Sequence, residues 1–316
     1  MAAMRMHHPI FRTLLAAAAL ASVAPGWAET GKLLLTGGVS SVTGSAGGGI
    51  TPWAVVGTNA TEGQWGASAF ATRLVTQDYA LTSRGAALAW NDRIEFSLAQ
   101  QEFNAAPATA LNAIAPFGVA PGLRLRMDVV GLKLRVAGDA VLDADTWMPQ
   151  VAVGLEHKRL DPGTLAPVLA FVGADTEGTD VYVSATKLIL ERGLLLSATL
   201  RATRANQNGL LGFGARAPGR GSHSLQGELS VAWLLRRDLA VGAELRMQPD
   251  NLQATGRAAG LGAALRADPW ADLFIAWAPS KHLSFTLAWA HLGRIVPGIT
   301  DGRRQRGVYL STQVAF

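Results

Sequence analysis

The sequence predicts an all-β protein, a transmembrane antiparallel up-and-down β-barrel of about 14 strands, with a range of about 12 to 16. Three observations predict it. Apolar and polar residues alternate along many segments, the connections between these segments are alternately short and long, and residues 307–316 form a strand-like stretch that closes on Phe316. Alternation gives a strand one apolar and one polar face. A membrane barrel needs this pattern, because its outer face meets lipid and its inner face meets water.

The first residues predict that the chain is secreted. Arg5 and Arg12 precede an apolar run over 14–24, and the small residues Gly26 and Ala28 follow it. This order is typical of a cleaved signal peptide. A short membrane anchor is the alternative, but the run is well below the ~20 residues that a spanning helix needs. We therefore expect a signal peptide over 1–28, a barrel domain over 29–316 and localisation in the outer membrane.

The composition excludes several classes of protein. The chain has no cysteine, which rules out disulfides and thiolate metal sites. The formal net charge of +5 is mild and the basic residues are dispersed, so nucleic acid is not an expected partner. Although 49% of the residues are hydrophobic, no uninterrupted apolar stretch of ~18 or more follows the signal peptide. A helical membrane protein is therefore excluded as well.

Residues 282–292 show the alternation clearly. Leu283, Phe285 and Leu287 share one face, and Ser284 and Thr286 share the other. About fourteen such segments are predicted, of which the first, second and eighth are the least clear. They span residues 32–39, 50–57, 65–76, 79–90, 92–103, 123–137, 148–158, 179–190, 194–203, 223–235, 239–248, 270–278, 282–293 and 305–316.

The connections between these segments sort by parity. Those after even-numbered segments are mostly short, and those after odd-numbered segments are mostly long. The long ones cover residues 104–122, 159–178, 204–222, 249–269 and 294–304, and the exceptions are the tight connection at 77–78 and the longer stretch 138–147. Outer-membrane barrels have short turns on the periplasmic side and long loops outside. A soluble β-sandwich has no reason to follow this parity.

The hairpin around 236–238 can be tested for register. A three-residue turn there places Leu229 opposite Leu245, and all the apolar residues of the two strands then share one face. The same register places Glu228 opposite Arg246. The hairpin is therefore consistent with a barrel wall.

Two other places are less simple. A three-residue turn at 279–281 predicts that Trp277 lies opposite Leu283. Within 79–90, the register that aligns the apolar residues sends Arg84 towards lipid. A bulge or a slip is therefore expected in that segment.

Charged residues change phase within residues 122–136. They are Arg124, Arg126 and Asp128 in the first half, and Lys133 and Arg135 in the second. A β-bulge at 129–130 in one long strand brings all five charges to the same face, because one extra residue reverses the alternation. Two shorter strands are the alternative.

If the apolar faces meet lipid, the polar faces line a lumen. The candidate lining residues are Glu95, Arg124, Arg126, Asp128, Lys133, Arg135, Glu156, Lys158, Lys187, Arg201, Glu228, Glu244 and Arg246. One hypothesis is a channel or transporter for small hydrophilic solutes, whose selectivity these mixed charges tune. The alternative is a non-conducting envelope protein, plugged by ion pairs, that binds a partner or a surface ligand through its long extracellular loops. A direct bond between Glu228 and Arg246 in a closed lumen favours the alternative.

No catalytic, cofactor or metal site is predicted, and we expect no enzyme. The six histidines are scattered, and none has the spacing of a metal pair. The glycine-rich residues 209–221 lack the βαβ context of a phosphate loop. The denser cluster GSAGGGITPW at 44–53 is interpreted either as the tight start of a strand or as an inward-folded segment.

The end of the chain predicts partners. Residues 307–316 resemble the last strand of outer-membrane barrels, whose terminal aromatic residue is read by the barrel-insertion machinery. The expected partners are therefore outer-membrane lipid, this machinery through Phe316, and small solutes. Tryptophans lie mostly near predicted strand ends, as an aromatic girdle would. They are Trp53, Trp65, Trp90, Trp147, Trp233, Trp270, Trp277 and Trp289.

Six stretches resemble a proteobacterial family that is known as a domain of unknown function and described as outer-membrane proteins. They are KLLLTGGVSSVTGSAGGGITPWAVVG (32–57), DTWMPQVAVG (145–154), GTDVYVSATK (178–187), TLRATRANQNGLLGFG (199–214), AVGAELRMQPDNL (240–252) and DLFIAWAPSKHLSFTLAW (272–289). The resemblance covers most of the chain after the signal peptide and is weaker in loops 104–122 and 253–269. It implies an outer-membrane barrel and transfers no functional residue.

Overall fold

The computed structural model describes residues 32, 34–105, 119–120, 122–138 and 147–316. The expected signal peptide over 1–28 lies outside these residues. So do most of the predicted loop 104–122 and most of the stretch 138–147.

Twelve strands form a closed antiparallel barrel in which β14 pairs with β3 and completes the wall. The wall strands are β3 (Trp65–Val75), β4 (Ala80–Trp90), β5 (Ile94–Asn104), β6 (Arg124–Ala137), β7 (Gln150–Asp161), β8 (Glu177–Ile189), β9 (Leu194–Thr203), β10 (Ser224–Arg236), β11 (Leu239–Arg246), β12 (Trp270–Ser280), β13 (Leu283–His291) and β14 (Arg306–Ala315). The predicted all-β barrel is confirmed, with twelve strands rather than fourteen.

The two missing strands are the first two predicted segments, which lie inside the barrel. The second of them, 50–57, belongs to residues 39–58, here called the internal segment, and the first, 32–39, leads into it. The internal segment contains the short paired strands β1 (Val39–Ser40) and β2 (Ala46–Gly47). Every residue of the internal segment is buried, whereas a wall strand exposes alternate residues to lipid. Of the two interpretations of 44–53, the inward-folded segment is therefore the correct one.

One predicted hairpin register is confirmed and the other is wrong. Glu228 lies opposite Arg246 as expected. Trp277, however, lies opposite Phe285 instead of Leu283, because the β12–β13 ladder shifts between Trp277 and Ser280. A shift of two residues keeps each side chain on its original face. The apolar residues of both strands therefore still point outwards.

Neither expected bulge exists. The β4 ladders are continuous, and Arg84 points outwards and donates a hydrogen bond to Gln100 at 2.8 Å. In β6 the ladder with β5 is unbroken from Arg124 to Leu134. The alternation of buried and exposed residues also runs through positions 129–130 without a break.

The outer face of β6 changes character along its length. Arg124, Arg126 and Asp128 lie towards the loops, and Leu132 and Leu134 lie towards the opposite end. The strand has 14 residues, whereas crossing the hydrocarbon takes only about 9–11 residues. The loop end of β6 therefore stands above the hydrocarbon, where outward charges meet water and need no bulge to turn them inwards.

The long connections lie at one end of the barrel, as their parity predicted. They carry two helices, α1 (Ala166–Val172) and α2 (Asn251–Ala258), and the 3-10 turns Gly163–Leu165 and Asn206–Gly209, while the 3-10 turn Leu190–Arg192 lies at the opposite end. Across the part of the chain that the structure describes, no helix is long and apolar enough to cross a bilayer.

A belt of large apolar side chains surrounds the outside of the barrel. It includes Leu88, Phe96, Leu132, Leu155, Val183, Leu196, Leu229, Leu245, Ile275, Leu287 and Leu310. Exposed apolar surface of this extent is suited to lipid. The exposed Trp65, Trp90, Trp233, Trp277 and Trp289 extend the belt. Trp53 and Trp270 are buried inside the barrel instead, so they do not belong to a girdle.

Candidate functional site

The predicted lining residues divide between the two sides of the wall. Nine point into the barrel: Glu95, Lys133, Arg135, Glu156, Lys158, Arg201, Glu228, Glu244 and Arg246. Four point outwards: Arg124, Arg126, Asp128 and Lys187. The first three of these follow from the absent bulge. Lys187 shares the outer phase of β8 with Val181 and Val183, and Tyr182, Ser184 and Thr186 face inwards in its place.

Five of these inward residues, together with Asp180, form a central ion-pair cluster on β7 to β11. It consists of three acids and three bases, namely Glu156, Asp180, Glu228, Lys158, Arg201 and Arg246. Arg201 is the hub. Its Nε is 2.6 Å from Glu228 Oε1 and its NH1 group is 2.9 Å from Glu156 Oε2, and its guanidinium stacks 5.0 Å from the centre of the Tyr182 ring. The charges of the cluster therefore balance within the wall.

The two adjacent strands β10 and β11 also supply the predicted direct pair. Arg246 Nε lies 3.4 Å from Glu228 Oε1. Asn208, in the loop turn, brings a neutral acceptor to the same place, since its Oδ1 accepts from Lys158 Nζ at 2.7 Å and from Arg246 NH2 at 2.8 Å. Asn208 has a φ of 59°, a left-handed conformation that asparagine tolerates better than most residues. A loop residue thus bonds two wall cations.

A second group of charges holds the internal segment near the end of the barrel that carries the short turns. Lys133 Nζ is 3.0 Å from Glu95 Oε1, and it donates to the carbonyls of Ala46 at 2.9 Å and Val55 at 2.8 Å. Glu95 accepts from the backbone N–H groups of Ala46 at 2.9 Å and Gly57 at 2.8 Å. One wall ion pair therefore satisfies backbone donors and acceptors of the segment together.

Glu244 holds the middle of the segment. Its carboxylate accepts from the N–H groups of Gly49 and Ile50 at 2.5 and 2.8 Å, and from the Thr51 hydroxyl. A Cβ on Gly48 would overlap the Glu244 carboxylate, so any larger residue there would displace the carboxylate from its bonds to the segment. The glycine cluster at 44–53 is thereby explained by contact between backbone and wall.

Asp272 is the exception among the inward charges. It lies directly opposite Glu244 on the neighbouring strand and is 4% exposed. Among the described residues, neither of its carboxylate oxygens has a hydrogen-bond partner. The hydroxyl of Tyr309, which is buried nearby, is likewise unpartnered within the described residues. Glu244 therefore bonds to the internal segment, while Asp272 faces it without a partner among the described residues.

These contacts close the lumen. The internal segment fills the barrel at the level of Glu95, Glu156 and Glu244, and each of these side chains bonds to it. Ser184 on β8 and Thr199 on β9 donate to the carbonyl of Pro52. At this level the inner wall therefore contacts the internal segment on several sides.

Above the internal segment, the loop end of the barrel is apolar inside. A cavity of about 430 Å³ lies there. Its wall comes from the inner faces of the strands, with Leu74, Leu81, Phe103, Leu125, Trp270 and Leu292 among its residues. Its floor includes Val42 and Ile50 of the internal segment. The interior thus changes from polar in the middle of the barrel to apolar at the loop end. The outer face does the reverse, since it is apolar in the middle and charged at the loop end of β6.

Loops and helices enclose this cavity. Leu165, Leu169 and Val172 on and beside α1 point into it, and Leu252 on α2 does the same. At the rim, Phe171 and Leu261 line the cavity and are more than half exposed. The cavity therefore has an apolar mouth towards the outside.

One ion pair joins two of the loops. Asp268 accepts from the backbone N–H of Arg294 at 3.0 Å and from its guanidinium Nε at 2.8 Å. Partial burial raises the pKa of Asp268, but the hydrogen bonds from Arg294 and the charge of Arg266 lower it by more, so that the pKa lies below the usual range of an aspartate. The pair holds together the loops that carry Leu265 and Ile295, both of which line the cavity.

Sequence reasoning missed Asp180, Asp272 and the cavity. Both aspartates are in phase with inward neighbours, Asp180 with Tyr182 and Asp272 with Phe274, so alternation could have found them. The cavity had no such signal, because an inward leucine and an outward leucine look alike in a strand. Within the described residues, no three His, Cys, Asp or Glu side chains are grouped to hold a metal ion.

Several solved structures are similar to this chain over most of its length. A KdgM porin has 8% sequence identity and a TM-score of 0.48, and the match covers 79% of this chain and 99% of that chain. The COG4313 outer membrane channel from Pseudomonas putida F1 has 9% identity, a TM-score of 0.43 and coverage of 82% and 97%. Outer membrane phospholipase A from Escherichia coli has 10% identity, a TM-score of 0.40 and coverage of 78% and 92%. At these identities the likeness concerns the fold alone.

The sequence itself leads to a family. A comparison with curated proteins finds no match. Residues 36–313 match the family model described as protein of unknown function DUF3034. This match includes the internal segment and nearly all of the wall. The resemblance noted in the sequence is therefore confirmed, and the chain belongs to the DUF3034 family.

Proposed function

We propose that the protein is an outer-membrane barrel that is closed by its own internal segment and binds a ligand from outside through its extracellular loops. The observation that carries this proposal is the division of the interior. Chain fills the polar middle, while the loops enclose a cavity at the top. In this proposal lipid surrounds the apolar belt, and the inward charges hold the internal segment in place.

The direct pair between Glu228 and Arg246 supports a closed lumen. So does the balance of three acids and three bases in the central cluster, because charges that are satisfied by one another contribute little to the selection of passing ions. Arg124 and Arg126 face outwards and have no part in a lumen.

Conductance in a planar bilayer tests the proposal. The refolded native chain is expected to insert and to remain silent across voltage ramps, because the segment blocks the path. Replacing Arg124 and Arg126 with alanine is expected to leave it silent. Steady conductance of the native chain would overturn the closed barrel.

A second candidate is a gated channel for small hydrophilic solutes that opens when the internal segment withdraws. One observation favours it. In the described residues the segment forms its own two-stranded sheet with no β-ladder to the wall, so side-chain contacts carry much of its attachment. Withdrawal would leave Lys133, Arg201 and Glu244 lining a hydrated path.

A reversible crosslink separates the two candidates. The Ala54 N–H donates to Thr186 Oγ1 at 2.8 Å, so the Ala54→Cys, Thr186→Cys variant joins the segment to the wall, and the chain has no other cysteine to compete. A gated channel predicts conductance that oxidation abolishes and a reductant restores. Each single cysteine variant is the control. Silence of the reduced double variant and of the native chain would reject the channel.

A further inference from the structure

We propose that the loop-end cavity is a binding site for an uncharged, apolar small molecule. The proposal rests on the ligand-binding function proposed above and names the class of ligand. The volume of the cavity, about 430 Å³, falls within the ~300–1,000 Å³ typical of small-molecule sites.

The lining determines the class of ligand. Of the described residues that line the cavity, none is charged. Two of its polar side chains are occupied, since the Trp270 Nε1–H donates to Gln207 Oε1 at 3.1 Å and the Tyr79 hydroxyl donates to the Ile295 carbonyl at 3.2 Å. The Tyr309 hydroxyl at the floor has no partner among the described residues, but it is neutral and offers no charge to an ionic ligand. A ligand with a charge would lose its hydration without gaining a partner, which is costly. A hydrocarbon ligand has no such hydration to lose. It fills an apolar space that water does not favour.

The floor adds a second restriction. Below Ile50 and Tyr309 lie the carboxyl groups of Glu244 and Asp272, and the Arg246 guanidinium donates to the Ile50 carbonyl at 3.0 Å. Arg246 is already shared among Glu228, Asn208 and the Ile50 carbonyl, so an anionic ligand that points downwards would meet two carboxyl groups and no unengaged base of the described residues. A fatty-acid carboxylate is therefore a poor fit in that orientation, and a neutral hydrocarbon or a ring compound is a good one.

The position of the site agrees with capture from outside. The exposed Phe171 and Leu261 offer apolar surface at the mouth, and the outward charges on the loop end of β6 keep that end of the barrel in water. An apolar molecule from the outer leaflet of the membrane would therefore pass the apolar mouth into the cavity without entering the polar middle of the barrel.

Thermal protection tests this inference. The probes are naphthalene and 2-naphthoate, which share the ring system and differ in charge. The measurement is the temperature at which the folded full-length chain, in detergent micelles, loses its heat-modifiable band on a gel. Naphthalene should raise this temperature for the native chain, because a ligand that binds only the folded state stabilises it. 2-Naphthoate at pH 8 should have no such effect.

Variants locate the effect. Ala290 lines the cavity and is buried, so Ala290→Phe should fill it and abolish the shift. Leu287→Phe, on the outer face of the same strand, should retain the shift. Leu169→Trp fills the cavity from α1 and replaces Ala290→Phe if that variant fails to fold.

The outcomes separate the two proposals. Equal shifts in the native and filled variants would show an effect on the micelle and overturn the inference. An equal shift with 2-naphthoate would overturn the class of ligand. No naphthalene shift with a silent bilayer would reject the apolar ligand and leave the closed barrel intact. Conductance of the native chain rejects the closed barrel whatever naphthalene does.

Discussion

Asp272 shows most directly how this lumen differs from the interior of a soluble protein. A buried carboxylate is normally paired or hydrogen-bonded, because losing its hydration is expensive. The neighbouring Glu244 meets that requirement through three donors of the internal segment, while Asp272 has no partner among the described residues. The site therefore carries a local energetic cost.

We expect Asp272→Asn to stabilise the folded barrel by about 1–3 kcal/mol, because it removes the cost of holding two neighbouring carboxyl groups, one of them without a partner, in a buried site. Heat-modifiability on a gel measures the change. Asp301→Asn, on an exposed loop residue, is the control and should have no effect. A loss of stability in Asp272→Asn would show that the carboxylate has a partner.

At the scale of single strands, phase and height contribute different information. Alternation predicted correctly which residues of β6 share a face, so Lys133 and Arg135 were placed together inside. It could not predict where along the strand the surroundings change from lipid to water. Arg124 and Arg126 were therefore turned inwards by a bulge that the structure lacks.

The same height argument gives a paired prediction on β6. Leu132 and Arg126 point outwards from one strand. Leu132→Arg should destabilise the barrel by about 2–4 kcal/mol, because it places a charge on the lipid face near the middle of the bilayer. Arg126→Leu should be close to neutral. The measurement is unfolding of the folded chain in lipid vesicles by urea, and equal effects would contradict the assigned height.

The loop pair predicts a pH dependence. Because the pKa of Asp268 is lower in the folded than in the unfolded chain, its contribution is fully present above the unfolded value of about 4 and is lost as the pH falls through the folded value. Acidification below about pH 4 should therefore loosen the loops at 247–269 and 292–305.

Limited digestion by pepsin over a series of acidic pH values detects this loosening. The native chain should become sensitive in these loops only as Asp268 is protonated. Asp268→Asn should be sensitive throughout the series, since the amide cannot form the ion pair with Arg294. An identical pH profile for both chains would rule out this role of the pair.

For the molecule as a whole, the wall strands could be predicted from the sequence, but the segment and the cavity inside the barrel could not. Twelve wall strands, the parity of their connections and the β10–β11 register follow from alternation and turn length. The internal segment does not alternate, since all of its residues are buried, and its partners come from eight different wall strands. Contacts of such long range leave no local pattern in a single sequence.

The distribution of tryptophans tests the assembled molecule. Brominated lipids should quench the exposed Trp65, Trp90, Trp233, Trp277 and Trp289, and should leave the fluorescence of the buried Trp53 and Trp270. In the Trp270→Phe variant the unquenched fraction should fall. In the Trp289→Phe variant it should rise. The reverse order would place the belt on the wrong tryptophans.

The place of the internal segment in the chain has a consequence for biogenesis. Residues 39–58 precede every strand of the wall, and the wall closes where β14 meets β3, the strand that follows the segment. Threading a finished ring would force buried backbone past twelve fixed strands. We therefore expect the wall strands to assemble around an internal segment that is already in place. The pairing of β14 with β3 is then the last step, and it closes the barrel with the internal segment inside.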